Sequence, residues 1–369
     1  MIVRCFKYEP NSELIFNEQP HLDNYFIKLK QDKDVLVIHI MDNSANEPNI
    51  NLIEEFIRKI NIKKVVIDFT MVECYIEKSV VEELETRLVG FTLRILTVNI
   101  VNNEYKSHIF FPTHAFQLLH KFEELIDPVF QIQTKILATK KRLKKYLFLN
   151  HHLRTERFKI FESLYKNNNL NDGLVSFNWT LEHKEFVPSQ YSVSMDDLEY
   201  IKNSDAYSIL PIELDGSNEI SRTFDNNIIG IQNPVYFSPP NTNITHYFNV
   251  YFEIITEGFS SSTPFHPYVD RTNLLHYSEK IYKPLLFGVP FCFWGPENTL
   301  EEFKKYLGFK FDCPLYYSNV GYDLNQFCDR VNQLSNLSYK ELHTLYYQYI
   351  DDIKHNQQTL INYLKNITI

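Results

Sequence analysis

Glycine is scarce in this 369-residue chain, nine in all, and none sits in a Gly-rich phosphate loop or a dinucleotide fingerprint. That argues against nucleoside-triphosphate hydrolysis on a P-loop and against nicotinamide chemistry. Cysteine is as sparse: Cys5, Cys74, Cys292, Cys313 and Cys328 are odd in number and have no C-x-x-C spacing. They read as reduced, buried thiols and exclude a disulfide framework. No apolar run approaches the length of a membrane span, and the opening residues MIVRCFKYEP lack the pattern of a signal peptide. The expectation is a cytoplasmic protein. Positive charge is also in deficit, with 37 Lys and Arg against 46 Asp and Glu for a net −9, so no global field gathers nucleic acid. The histidines supply no zinc set, since His108, His114 and His120 share no helical face and His151 and His152 are adjacent and point apart. A Gly-x-Ser-x-Gly elbow is missing as well.

What is present is apolar and aromatic: 44% hydrophobic residues, 15% of the chain aromatic. That suffices for two domains with real cores. The abundance of Asn, Ile, Lys, Tyr and Phe suggests an AT-rich genome. Strands alternate with helices. Val35 to Ile40 reads as a strand, Ile50 to Ile60 as a helix, Val65 to Phe69 as a strand, Glu77 to Leu88 as a helix and Leu93 to Ile100 as a strand, with a further helix from about Ala115 to Leu125. This is the signature of a parallel α/β domain. From Lys135 to Lys145 the chain is basic, a solvated linker or a surface for phosphates. The pattern then restarts. Tyr146 to Asn150 reads as a strand, and the helix after it carries Arg154 and Arg157 three apart on one face near its start, where two guanidinium groups can grip an anion. A short strand is expected from Gly173, a helix over Asp196 to Asn203, an amphipathic segment over Leu300 to Leu307, a short strand ending near Asp312, a helix over Leu324 to Leu334 and a long final helix from Tyr339 to about Leu364.

The most informative stretch runs from Asn249 to Pro296. A buried strand ends at Glu257-Gly258, a polar loop follows, then a short helix with Ser278 as N-cap and Pro284 inside it, then a second buried strand from Val289 to Trp294 that stops at Gly-Pro. Strand, loop, helix and strand make one unit of an open parallel sheet, whose ligands sit beyond the carboxyl ends of the strands. Glu257 therefore belongs at the rim, with Glu279, Lys280 and Lys283 in the first turns of the helix above it. Lysines beside free backbone N–H groups suit a diphosphate, and a carboxylate nearby suits sugar hydroxyls. The plain alternative is an ordinary helix start with a solvated ion pair.

Glu257, Glu279-Lys280, Gly288-Val289-Pro290-Phe291 and Gly295-Pro296 resemble, in order, the donor-binding signature of GT-B glycosyltransferases related to the α1,3-fucosyltransferases. Glu279-Lys280-Ile281-Tyr282-Lys283-Pro284 is similar to the Glu-Lys-x-Tyr-Lys-Pro core of glycosyltransferases from phages, giant viruses and bacteria. The same group carries a strand ending in Leu-Asn before paired arginines, here Leu149-Asn150 before Arg154 and Arg157. The resemblance implies an α/β fold of two Rossmann-like domains, GT-B type, with a cleft between them and a C-terminal helix crossing back. Residues 1–140 would form the acceptor domain, 141–340 the nucleotide-sugar donor domain and 341–369 the returning helix.

It further implies a hexosyl- or pentosyltransferase, inverting and independent of a metal, that moves a sugar from a nucleotide-diphosphate sugar to an acceptor hydroxyl. No cofactor is expected beyond that co-substrate. Donor contacts fall on Asn150, Arg154, Arg157, Glu257, Glu279, Lys280 and Lys283, and Lys280 also stabilises the departing diphosphate. The one Asp-x-Asp, Asp32-Lys33-Asp34, precedes a strand, the wrong end of a sheet for a metal-held diphosphate. Asp42, just after the first strand, is the first choice for the base that deprotonates the acceptor, ahead of Asp68 and Glu73. The acceptor is a glycan or protein hydroxyl. A narrower alternative is a phage glucosyl- or arabinosyl-type enzyme acting on hydroxymethylated cytosine in duplex DNA. A non-catalytic module that binds a nucleotide or glycan is the third reading.

Overall fold

The structure is a computed structural model that describes residues 2–7, 15–16, 35–40, 50–59, 63–69, 78–97, 107–110, 142–150, 153–177, 195–212, 214, 244–257, 279–295, 299–319 and 323–366. Two compact units divide the chain. One takes in Met1–Gln117, Tyr268–Tyr277 and Leu364–Ile369, the other Leu118–Pro267 and Ser278–Tyr363. Each is an α/β unit on a predominantly parallel sheet, in agreement with the alternation read from the sequence. No helix among the described residues is long and apolar enough to cross a membrane.

The first unit contains β1 (Ile2–Lys7), β2 (Ile15–Phe16), β3 (Val35–Ile40), α1 (Ile50–Lys59), β4 (Lys64–Asp68), α2 (Lys78–Arg87), β5 (Thr92–Thr97) and β6 (His108–Phe110). Its sheet order is β2-β1-β3-β4-β5-β6, with only β2 antiparallel to its neighbour. The parallel strands follow one another in chain order, so right-handed crossovers put the intervening helices on one face. The packing agrees. Ile53 and Ile57 of α1, Val81 and Leu84 of α2, and the same-face residues Leu36, Ile38, Val65, Ile67, Leu93 and Ile95 make one buried cluster. Arg87 of α2 reaches Glu54 of α1 at 3.3 Å, and Arg58 of α1 donates to the Arg87 carbonyl at 2.7 Å.

The second unit contains β7 (Tyr146–Asn150), α3 (Thr155–Lys166), β8 (Gly173–Phe177), α4 (Met195–Lys202), α5 (Ile244–Phe248), β9 (Phe252–Thr256), α6 (Glu279–Leu286), β10 (Phe291–Trp294), α7 (Thr299–Leu307), β11 (Tyr317–Ser318), α8 (Leu324–Asn336), α9 (Tyr339–Gln348) and, up to Tyr363, α10 (Ile350–Asn366). The sheet is fully parallel in the order β11-β10-β9-β7-β8. The chain therefore winds outward from β7 in one direction and from β9 in the other. Crossovers on the two sides of this reversal lie on opposite faces, which puts α3 on one face and α6 on the other. All residues of β9 and β10 are buried, as a parallel sheet covered on both faces requires. Gly173 opens β8 beneath the buried Tyr146 ring, where a Cβ would come within 2.3 Å of that ring. Overpacking of this kind costs about 1–3 kcal/mol.

Two sequence expectations are corrected. No strand ends near Asp312. Phe309 and Phe311 are buried in irregular chain and pack edge-on against each other, so the apolar run fills core without joining the sheet, and the edge strand is β11. The long final helix is two helices. Ser338 starts α9 with a capping box to Glu341, and at Tyr349 the backbone turns to φ −106 and ψ 17 before α10 begins. Cys292, Cys313 and Cys328 are free and buried, as expected, and burial pushes the Cys292 thiol up to about 12.

Candidate anion site at the sheet reversal

In a doubly wound sheet, the crevice beyond the carboxyl ends of the strands opens where the winding reverses. Here that is the gap between β7 and β9. Their main-chain pairing is confined to Tyr146↔Phe252 and Leu147↔Glu253. Toward the carboxyl ends the two strands are joined by side chains instead. Thr256 Oγ1, at the end of β9, donates to Asn150 Oδ1, at the end of β7, at 3.3 Å. Both residues are buried.

Helices reach this point from both faces. Arg157, in the first turn of α3, is buried and donates from Nε to Thr256 Oγ1 at 3.0 Å. Lys280, in the first turn of α6, donates from Nζ to the Thr256 carbonyl at 3.1 Å and lies 3.6 Å from Glu257 Oε2. Thr256 is thus the common anchor of two cations that come from separate parts of the chain. The Lys280 side chain is 32% exposed while the Glu257 side chain is 2% exposed, so the ammonium faces outward and the carboxylate sits behind it.

The start of α3 adds donors. Arg154 is its N-cap in an extended conformation with no side-chain cap, so the first-turn N–H groups face the crevice uncapped by that residue. Two buried side-chain atoms beside them, Asn150 Nδ2 and Thr155 Oγ1, have no hydrogen-bond partner. Unsatisfied buried donors are costly, and both atoms are able to pair with an incoming oxygen. Arginine, lysine, a helix N-terminus and two unused donors together favour an anion with several oxygens.

The sequence-derived residues fall into four groups. Asn150, Arg157, Glu257 and Lys280 are brought together, with Arg154 at the mouth of α3. Lys283 is buried one turn further along α6, where its charge acts on the carboxyl of Glu253, so it belongs to the layer beneath the rim. Asp42 and Glu73 lie outside the described residues. Glu279 opens α6, and its side chain lies outside them too. Asp68 is buried at the end of β4. Sequence reasoning missed Thr155, Thr256 and Glu253. The available signal was that Thr256 and Glu253 are the polar residues in an otherwise apolar strand.

The basic stretch is corrected in part. Lys135, Lys140 and Lys141 lie outside the described residues, but Arg142 and Lys145 are buried. Arg142 donates from Nη1 to the carbonyls of Tyr247, at 3.1 Å, and Phe248, and its guanidinium lies over the Tyr346 ring. Lys145 donates to the Ser335 carbonyl and pairs with Asp172 at 2.6 Å. These two cations hold the unit together and do not form a surface for nucleic acid.

No protein-family model matches the sequence, and no curated protein does. Among solved structures the chain is similar to an α,α-trehalose-phosphate synthase (UDP-forming) from Burkholderia vietnamiensis, at 10% identity and a TM-score of 0.40, over 94% of this chain and 76% of that one. It is similar also to an α,α-trehalose 6-phosphate synthase from Burkholderia multivorans, at 10% identity and a TM-score of 0.39, over 94% and 74%.

Proposed function

We propose that the second unit binds a nucleotide-diphosphate sugar and that the protein is a glycosyltransferase of GT-B type, transferring the sugar to an acceptor hydroxyl with inversion. The observation that carries this reading is the convergence of Arg157 and Lys280 on Thr256 at the sheet reversal. The motif resemblance supports it, because two of the residues that carry the motif, Glu257 and Lys280, belong to the anion site. As the bond between sugar and diphosphate breaks, negative charge grows on the diphosphate. Lys280, Arg157 and the α3 N-terminus would stabilise it, so the reading assigns charge neutralisation to protein groups and needs no obligatory cation. Glu257, behind Lys280, would orient the ammonium and accept from ligand hydroxyls. Asp42 is the proposed acceptor base.

The proposed acceptor is a glycan or protein hydroxyl. Burial of Arg142 and Lys145 removes part of the support for duplex DNA. A thermal-shift screen of nucleotide sugars, followed by a transfer assay, tests the reading. A selective shift with one nucleotide sugar and slow hydrolysis of it support a transferase. A shift without hydrolysis or transfer favours a non-catalytic binding module, and no shift with any nucleotide sugar overturns the proposal.

A further inference from the structure

Beneath the anion site lies a buried carboxyl group that the proposed chemistry does not use. Along β9 the side chains alternate, so Glu253, Ile255 and Glu257 share one face and Thr256 lies on the other. Glu257 meets Lys280 of α6, so the shared face is the one that α6 covers. Glu253 and Lys283 are both buried, and the charge of Lys283 acts on the Glu253 carboxyl. Among the described residues, the groups that face Glu253 are Lys283 and Lys280 from α6 and the Tyr247 hydroxyl from α5, which donates to Glu253 Oε1 at 3.4 Å. Across the sheet its register partners, Leu147 of β7 and Phe291 of β10, are apolar. Glu253 Oε2 is buried with no hydrogen-bond partner.

We propose that Glu253 is a positioning residue of the anion site: through Lys283 and Lys280 its carboxyl sets how much positive charge the rim presents, and it takes up a proton when an anionic ligand binds. The inference rests on the anion-binding reading above. A carboxylate with one oxygen unpaired in an apolar layer is held in its neutral form by desolvation. Burial pushes Glu253 up to about 8 against the opposing pull of Lys283, the Tyr247 hydroxyl and Lys280. While Glu253 is neutral, its carboxyl does not offset the charges of Lys283 and Lys280, both of which act on it. Once Glu253 ionises, a negative charge is added beneath the rim and its positive potential falls. An arriving diphosphate adds negative charge close by and so favours the protonated carboxyl. Binding and proton uptake are therefore linked.

The test is calorimetric titration of the whole 369-residue chain with UDP-glucose, GDP-mannose and the nucleotide-diphosphate sugar that gives the largest thermal shift, whose diphosphate diesters keep a constant charge between about pH 6.5 and about pH 8.5. Buffers of different ionisation enthalpy report the protons exchanged. The expected result is uptake of a fraction of a proton near pH 8 and an affinity that falls about fivefold from the lower to the higher pH. In Glu253→Gln both effects vanish and affinity at high pH is retained. In Lys283→Met proton uptake near pH 8 vanishes as well, because Glu253 then stays protonated over the whole range; this variant serves if the first does not fold. Wild-type binding without proton exchange overturns the inference and leaves the anion site standing. Exchange that persists in Glu253→Gln does the same. Failure of all of these sugars and of every other nucleotide sugar in the screen to bind the wild type removes the inference together with the donor reading on which it rests.

Discussion

Arg157 and Lys280 are bound to the same residue from opposite faces of one sheet: the guanidinium donates to the Thr256 hydroxyl at 3.0 Å and the ammonium to the Thr256 carbonyl at 3.1 Å. The cause is topological. Helices α3 and α6 follow neighbouring strands on the two sides of the winding reversal, so their N-termini meet over the gap between β7 and β9 from opposite faces. Thr256 serves both, one through its side chain and one through its backbone.

The Thr256 hydroxyl is predicted to carry part of the stability of this corner. In Thr256→Val, Arg157 Nε loses its acceptor and Asn150 Oδ1 its donor while the volume stays similar. Denaturant unfolding should show a loss of about 1–3 kcal/mol. Thr256→Ser retains the hydroxyl and should lose about 1 kcal/mol, the cost of a buried methyl group. Equal losses for both variants would mean that packing, and not the hydrogen-bonded chain, matters here.

Arg142 is predicted to be structural. Its desolvation lowers its pKa, and its charge is offset by the Tyr247 and Phe248 carbonyls and the Tyr346 ring. Arg142→Ala removes these bonds and leaves two carbonyls and a void, so the unfolding free energy should fall by about 3–5 kcal/mol. Any affinity for duplex DNA measured on the folded variant should be unchanged. A stable Arg142→Ala protein with weakened DNA binding would restore this residue to a nucleic-acid surface.

Acid sensitivity is expected from His246 on α5. Burial lowers its pKa from 6.5 to about 4, so the folded chain favours the neutral ring. Its contribution to stability is complete above about pH 6.5 and is lost as the pH falls toward 4, because the unfolded chain takes up the proton first. The loss amounts to roughly 3 kcal/mol. Thermal melts across this window should show a drop in Tm that is smaller in His246→Gln. Identical acid profiles for the two proteins would exclude His246 as the cause.

Much of this architecture is legible in the amino-acid sequence. The runs Val35 to Ile40, Tyr146 to Asn150, Phe252 to Thr256 and Phe291 to Trp294 are apolar, β-branched or aromatic, and each forms a strand close to its expected limits. The strands that carry little signal are β1, β2, β6 and β11. β1 has Arg4 and Lys7 among its apolar residues, and the other three are two or three residues long, too short for any periodicity to register. The break at Tyr349 leaves no mark because apolar spacing continues through it; only the backbone turns there. At the site, the charged residues stand out by type and spacing. Thr256 does not, since its importance comes from strand order, which places Asn150, α3 and α6 around it and which no local pattern encodes.

The proposed function stands or falls on whether Lys280 and its neighbours at the end of β9 hold the diphosphate of a nucleotide sugar. Lys280→Gln keeps a donor near the Thr256 carbonyl and removes the charge. The decisive comparison is calorimetric titration of the wild type and this variant with the nucleotide sugar that gives the largest thermal shift. The predicted result is binding by the wild type and an affinity lower by at least about tenfold in the variant, with a turnover in the transfer assay lower by about 100-fold. Equal affinity and turnover in the two proteins, both folded, would contradict it.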